Sequence, residues 1–122
     1  MFLQLAHAKT DVFQQSQNLG LECYRVTKAF PSEEKFAMIQ QTRKAALSVH
    51  LNIIERCSRR SLAERKRFFK ISRGSVIEID AAIDIAYKLG YCDMKSLDAL
   101  DNLIVSCFKQ LTALIGNPAN VQ

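Results

Sequence analysis

Residues 97–114 read LDALDNLIVSCFKQLTAL. Leu97, Leu100, Ile104, Cys107, Leu111 and Leu114 recur at intervals of 3, 4, 3, 4 and 3. Those intervals place all six on one stripe of an α-helix, so this segment must bury that stripe against other helices. Asp93 stands where an N-cap belongs, and Gly116 and Pro118 stop the helix, which predicts a span of about 94–115. The tail to Gln122 is expected to fray.

Upstream, three more segments carry the same signature. Val12, Ser16, Leu19, Cys23, Val26 and Phe30 are spaced 4, 3, 4, 3 and 4. They predict a first helix over about 3–29, ended by Phe30-Pro31, because a residue before proline is pushed out of the helical region. Ser32 is the expected N-cap of a second helix, about 33–57, with Glu33 and Glu34 favoured by the helix dipole. Its apolar stripe is Phe36, Ile39, Ala46, Val49 and Ile53. A second stripe, Gln41, Ala45, Ser48, Asn52 and Glu55, is small and polar. After a short connection at 58–60, Ser61-Leu-Ala-Glu64 reads as a capping box that opens a third helix over about 62–89, closed by Gly90. Phe68, Ser72, Ser75, Ile79, Ile83 and Ala86 share a face, flanked by Phe69, Val76 and Leu89. Gly74 inside that helix costs about 1 kcal/mol relative to Ala, which close approach of a neighbouring helix would offset.

Composition agrees with this reading. The chain has 122 residues, 48% apolar and 24% charged, with 4 Gly and 2 Pro. So few turn formers argue against an all-β domain, and the length suits one domain over residues 1–122. Four long helices joined by short turns predict an all-α fold, an up-down-up-down antiparallel four-helix bundle. No apolar run approaches the roughly 18 residues that span a bilayer. Gln4, His7 and Lys9 interrupt the N-terminus, which predicts no secretory signal and no membrane partner. Cys23, Cys57, Cys92 and Cys107 are widely separated, as expected for reduced thiols in a cytoplasmic protein.

Charge is concentrated. The whole chain has a net charge of +5, yet segment 56–73 holds Arg56, Arg59, Arg60, Arg65, Lys66, Arg67, Lys70 and Arg73 against Glu64 alone. The remainder is slightly acidic. Six of those eight are Arg, the side chain whose planar fork suits phosphate. This points to a polyanion-binding surface, RNA or DNA, driven by backbone phosphate. The alternative is a solvated helix face. No chemistry competes with it. His7 and His50 lack a second ligand one turn away, there is no Glu-x-x-His, and neither a P-loop nor a dinucleotide fingerprint occurs. A non-enzymatic protein is expected, with no metal, no cofactor and no small-molecule substrate.

Several motifs stand in a recognisable order: Phe30-Pro31-x-x-Glu34; Gln41-x-Arg43-Lys44-Ala45-x-x-Ser48-x-x-x-Asn52-Ile53-x-Glu55; Arg59-Arg60-Ser61; Phe68; and Arg73-Gly74-Ser75-x-x-Glu78. They resemble the bacterial four helix bundle protein family, whose founding members are encoded in intervening sequences of large-subunit ribosomal RNA genes. The accessory variability determinant (Avd) proteins of diversity-generating retroelements are relatives. The resemblance spans about residues 12–115. It implies a small helical protein that forms a homopentamer ring and has no established enzymatic activity. It also implies either a role with ribosomal RNA or an Avd-like adaptor role beside a reverse transcriptase. A purely structural oligomer is a third reading, its basic segment facing Asp80, Asp84, Asp98 and Asp101 of the next subunit. The sequence departs from the family where His50 replaces a usual Pro, Arg56 a usual Gly and Phe13 a common Trp. His50 implies a straighter second helix, and Arg56 adds charge to the patch. The resemblance also suggests a hydrogen-bonded network of Asn52, Glu55 and Arg73, between helices two and three or across a subunit boundary.

Overall fold

A computed structural model describes Leu3 and residues 10–117; the expected start of the first helix, His7, Pro118 and the tail to Gln122 lie outside the described residues. Every regular element among them is helical: α1 Asp11–Thr27, α2 Gln40–Glu55, α3 Leu62–Lys88 and α4 Asp98–Gly116. None of these helices is long and apolar enough to cross a membrane.

The stripes read from the sequence form the core. All six positions of the 97–114 stripe are buried, and so are Val12, Ser16, Leu19, Cys23, Val26 and Phe30. Thr10 caps α1, its Oγ1 accepting from Phe13 N–H at 3.3 Å. Gly90 has φ 82° and lets α3 close as a Schellman turn: Tyr91 N–H donates to Ala86 O at 2.9 Å and Gly90 N–H to Tyr87 O at 3.0 Å. Ser61 caps α3 by accepting from Glu64 N–H at 3.3 Å, so one half of the capping box forms.

Several local expectations are corrected. Before α2 the chain makes a 3₁₀ turn, Ser32–Glu34, then a π-turn, Lys35–Ile39. Ser32 makes no capping bond, and Glu34 instead accepts from Met38 N–H at 3.2 Å. The wider π-turn inserts an extra residue, which rotates Phe36 off the apolar stripe and leaves it 82% exposed. Asp93 caps the turn before α4 rather than α4 itself, accepting from Ser96 N–H at 2.7 Å. Gly74 is exposed, and a Cβ there would meet nothing within 4 Å, so no other helix among the described residues approaches it. Leu89, at the end of α3, is exposed rather than flanking the core.

Each helix packs on two others, α1 and α3 each lying between α2 and α4. Cross-helix contacts order the register. Along α1 and α2, Ser16 meets His50 and Thr27 meets Arg43. Along α2 and α3, Val49 meets Ser72, Ser48 meets Ser75 and Gln41 meets Glu78. Arg73 of α3 reaches Thr112 of α4. Asp11 of α1 meets Gln110 of α4, and Arg25 meets the Ser96 carbonyl just before it. The end of α2 and the start of α3 therefore sit at one corner, and that corner carries the basic segment.

Candidate nucleic-acid interface

The eight basic residues divide into two groups. Arg56, in the 3₁₀ turn Arg56–Ser58, is 5% exposed, and its guanidinium lies 5.6 Å from the Phe69 ring centroid. It adds no charge to the surface. A long apolar stem lets Arg enter a core by stacking on an aromatic face. Arg65 is half-buried and donates from Nε to Arg59 O at 3.0 Å, tying the start of α3 to the turn. Arg73 is also half-buried. It donates from Nη1 to Thr112 Oγ1 at 3.3 Å and lies 5.9 Å from the Phe108 ring centroid. Arg65 and Arg73 thus tie neighbouring elements together, while Arg56 is enclosed at the turn.

The second group faces solvent. Arg60, Lys66, Arg67 and Lys70 are exposed, and none pairs with a carboxylate among the described residues. Lys66, Arg67 and Lys70 line a shallow groove on α3 with Ala63 and Ile71. Their numbering, i, i+1 and i+4, puts them on one face of the helix. Arg67 stacks 5.3 Å from the Phe68 ring centroid, and Arg59 lies 5.1 Å from the same ring. Arg59 is intermediate in character, because its Nη2 donates to Glu55 Oε1 at 2.8 Å.

Asn52, Glu55 and Arg73 do not form a network within the chain. Asn52 turns back along its own helix, donating to Ser48 O at 2.8 Å and to Ser48 Oγ at 3.1 Å. Glu55 pairs with Arg59, and Arg73 points to α4. The small polar stripe of α2 nevertheless does meet α3, through other residues. Ser75 Oγ donates to Ser48 Oγ at 2.8 Å, Ser72 Oγ donates to Val49 O at 2.7 Å, and Gln41 Nε2 donates to Glu78 Oε2 at 3.2 Å. Ser48, Ser72 and Ser75 reach across the seam with short hydroxyls and Gln41 spans it to Glu78, whereas Asn52 and Glu55 find partners close by in sequence. Ser72 and Ser75 were legible only as small residues on the buried face.

Asp80, Asp84 and Asp101 gather around a cleft between α3 and α4 floored by Ile83, Leu97 and Ile104. Beside it, Ile77, Val105 and Phe108 are exposed around a second apolar cleft. No group of three His, Cys, Asp or Glu residues that could hold a metal occurs among the described residues. His50 Nδ1 lies 2.8 Å from Ser16 Oγ, with the Phe13 ring edge-on at 4.7 Å between centroids. Burial pushes the Cys23 and Cys107 thiols up to about 12, which leaves them protonated and poor nucleophiles. Cys57 is raised as well, since its burial outweighs the lowering effect of Arg56 and Arg65.

A comparison with curated proteins finds no match. The family described as 23S rRNA-intervening sequence protein matches residues 8–113, a span that takes in all four helices to within a few residues of the end of α4, the polar seam and the whole basic corner. With core stripes, seam and corner all inside that match, the chain belongs to the 23S rRNA-intervening sequence protein family.

Proposed function

We propose that this chain is an up-down-up-down antiparallel four-helix bundle that binds the backbone of RNA or DNA through the exposed face of α3. The opposed register of the cross-helix contacts supports the topology. One observation carries the function: Arg60, Lys66, Arg67 and Lys70 stand exposed without a carboxylate partner among the described residues, at a single corner. Unpaired surface cations of one sign attract a polyanion and release its counterions on contact. The family's name makes 23S rRNA the first ligand to try. The role needs no catalysis, and binding in the cytoplasm, where that RNA resides, fits it.

Self-association belongs to the same reading. Ile77, Val105 and Phe108 expose apolar surface between α3 and α4, and the adjoining cleft is acidic. Such a face suits a second copy of the chain, and a ring, pentameric as the resemblance implies, would repeat the basic corner. Repetition raises overall affinity by orders of magnitude without a new contact.

A mobility-shift titration against an RNA duplex and a DNA duplex tests the function. Binding should be sequence-tolerant at about 50 mM salt and weaken by about a hundredfold by 200 mM. Absence of binding at the lower salt, or indifference to salt, would refute the reading. Light scattering over the same salt series reports assembly. An oligomer held by its apolar face persists at 200 mM salt, whereas one held by basic-to-acidic pairing falls apart.

A further inference from the structure

Arg56 presents a problem that the surface reading leaves unsolved. The residue is 5% exposed and stacks on the fully buried Phe69. Its Nε has no hydrogen-bond partner, and no carboxylate among the described residues pairs with the guanidinium. A guanidinium keeps its charge at any working pH. Buried without a counterion, it bears its desolvation cost uncompensated.

Three residues on, Arg59 repeats the arrangement. Its Nε is likewise buried without a partner, and its guanidinium lies 5.1 Å from the centroid of Phe68, the neighbour of Phe69. Only its Nη2 is engaged, by Glu55. Stacking on a ring fixes the guanidinium plane; each orphaned Nε is closed to solvent, whereas the Nη groups of Arg56 are not among the closed-off atoms. One turn of chain thus holds two positioned guanidinium groups, each with an orphaned donor, beside Arg65 and close to Arg67.

We propose that the α2–α3 turn is a phosphoryl-binding pocket, with Arg56 as its inner donor and Arg59 as its outer one. A phosphoryl group suits it better than a carboxylate does. Its oxygens accept from several in-plane donors at once, and Glu55, the carboxylate paired at the turn, engages only the outer fork. The pocket rests on the nucleic-acid reading for its natural source of phosphate, but inorganic phosphate carries the same chemistry. Its role differs from that of the exposed face. Lys66, Arg67 and Lys70 supply attraction at a distance, whereas a pocketed phosphate fixes register on the nucleic acid.

The test is ¹⁵N NMR of the arginine Nε–Hε groups in the full chain. Inorganic phosphate is titrated first, then an RNA hairpin bearing a 5′-phosphate, then the same hairpin with a 5′-hydroxyl. Saturable shifts of the Arg56 and Arg59 signals are expected. A shift with inorganic phosphate assigns the pocket to any phosphoryl group, and a shift confined to the 5′-phosphate hairpin assigns it to a terminal phosphate. Equal shifts with both hairpins assign it to an internal backbone phosphate. No shift with any of the three overturns the proposal.

Arg56→Met separates binding from structure. It should weaken phosphoryl binding about tenfold or more, the effect of losing charge-assisted hydrogen bonds. Without phosphate it should melt no lower than wild type, because an uncompensated buried charge has been removed. A lower melting temperature with unchanged phosphate binding would make Arg56 purely structural and overturn the pocket. Hairpin affinity in a Lys66/Arg67/Lys70 triple variant tests the surface reading by itself, so the two ideas can fail separately.

Discussion

Replacing Lys66, Arg67 and Lys70 together with Ala should flatten the salt dependence of RNA binding while leaving the fold intact. Four cations, counting Arg60, are exposed at the corner without a carboxylate partner among the described residues. Each phosphate neutralised on a duplex contributes roughly 0.9 to the slope of log affinity against log salt. Four contacts per chain then give a slope of about −3.6, or about a 150-fold loss from 50 to 200 mM salt. The triple variant retains Arg60 alone and should lose only about fourfold over that range. The assay is fluorescence anisotropy with a labelled RNA duplex at several salt concentrations, with circular dichroism to confirm helicity. Arg65→Gln is the contrast. It removes the Arg65 bond to Arg59 O, so it should lower stability by about 1 kcal/mol and change the slope by less than one contact. A triple variant that kept the wild-type slope would refute the division of the cluster into holding and binding residues.

Other outcomes follow from single sites. Gly74→Ala should raise stability by about 1 kcal/mol, seen as a rise in melting temperature of roughly 3–6 °C, since the added methyl meets nothing within 4 Å. A fall measured on dissociated chains would show that the helix is distorted at that point. Thr42 is fully buried with its hydroxyl unpartnered, so Thr42→Val should stabilise by about 1 kcal/mol in a urea titration. Cys23 and Cys107 should resist iodoacetamide at pH 8 in the native state and react on unfolding. Their raised folded values also carry a sign: stability from the protonated thiols is complete below about 9, the unfolded value, and declines as pH climbs towards about 12. Mass spectrometry after a short pulse of alkylation reads the reactivity, and native modification of either thiol would contradict the assigned burial.

The core was legible because periodicity is a direct record of burial. The 3-4 spacings of α1 and α4 picked out residues that are all buried. Phe36 was not legible, because nothing in residue spacing announces a π-turn that shifts the register by one position. The basic cluster was readable as a count and not as a surface. The same residue type serves as a buried stack at Arg56, a turn clamp at Arg65 and a free cation at Arg60, and a flexible stem permits each. The polar stripe of α2 pointed to the right neighbour, α3, but the contacts run through the Ser48 hydroxyl and Gln41 rather than through Asn52 and Glu55. Ser48 and Ser75 close the seam because small side chains let the helices approach, while Asn52 and Glu55 are satisfied locally.

The central claim is that nucleic acid lies against the exposed corner of α2 and α3. Photocrosslinking the full chain to a 23S rRNA fragment, followed by mapping of the linked peptides, tests it most directly. The account predicts crosslinks concentrated between residues 59 and 71 and lost at high salt. Crosslinks confined to α1 and α4, with that corner left bare, would contradict it.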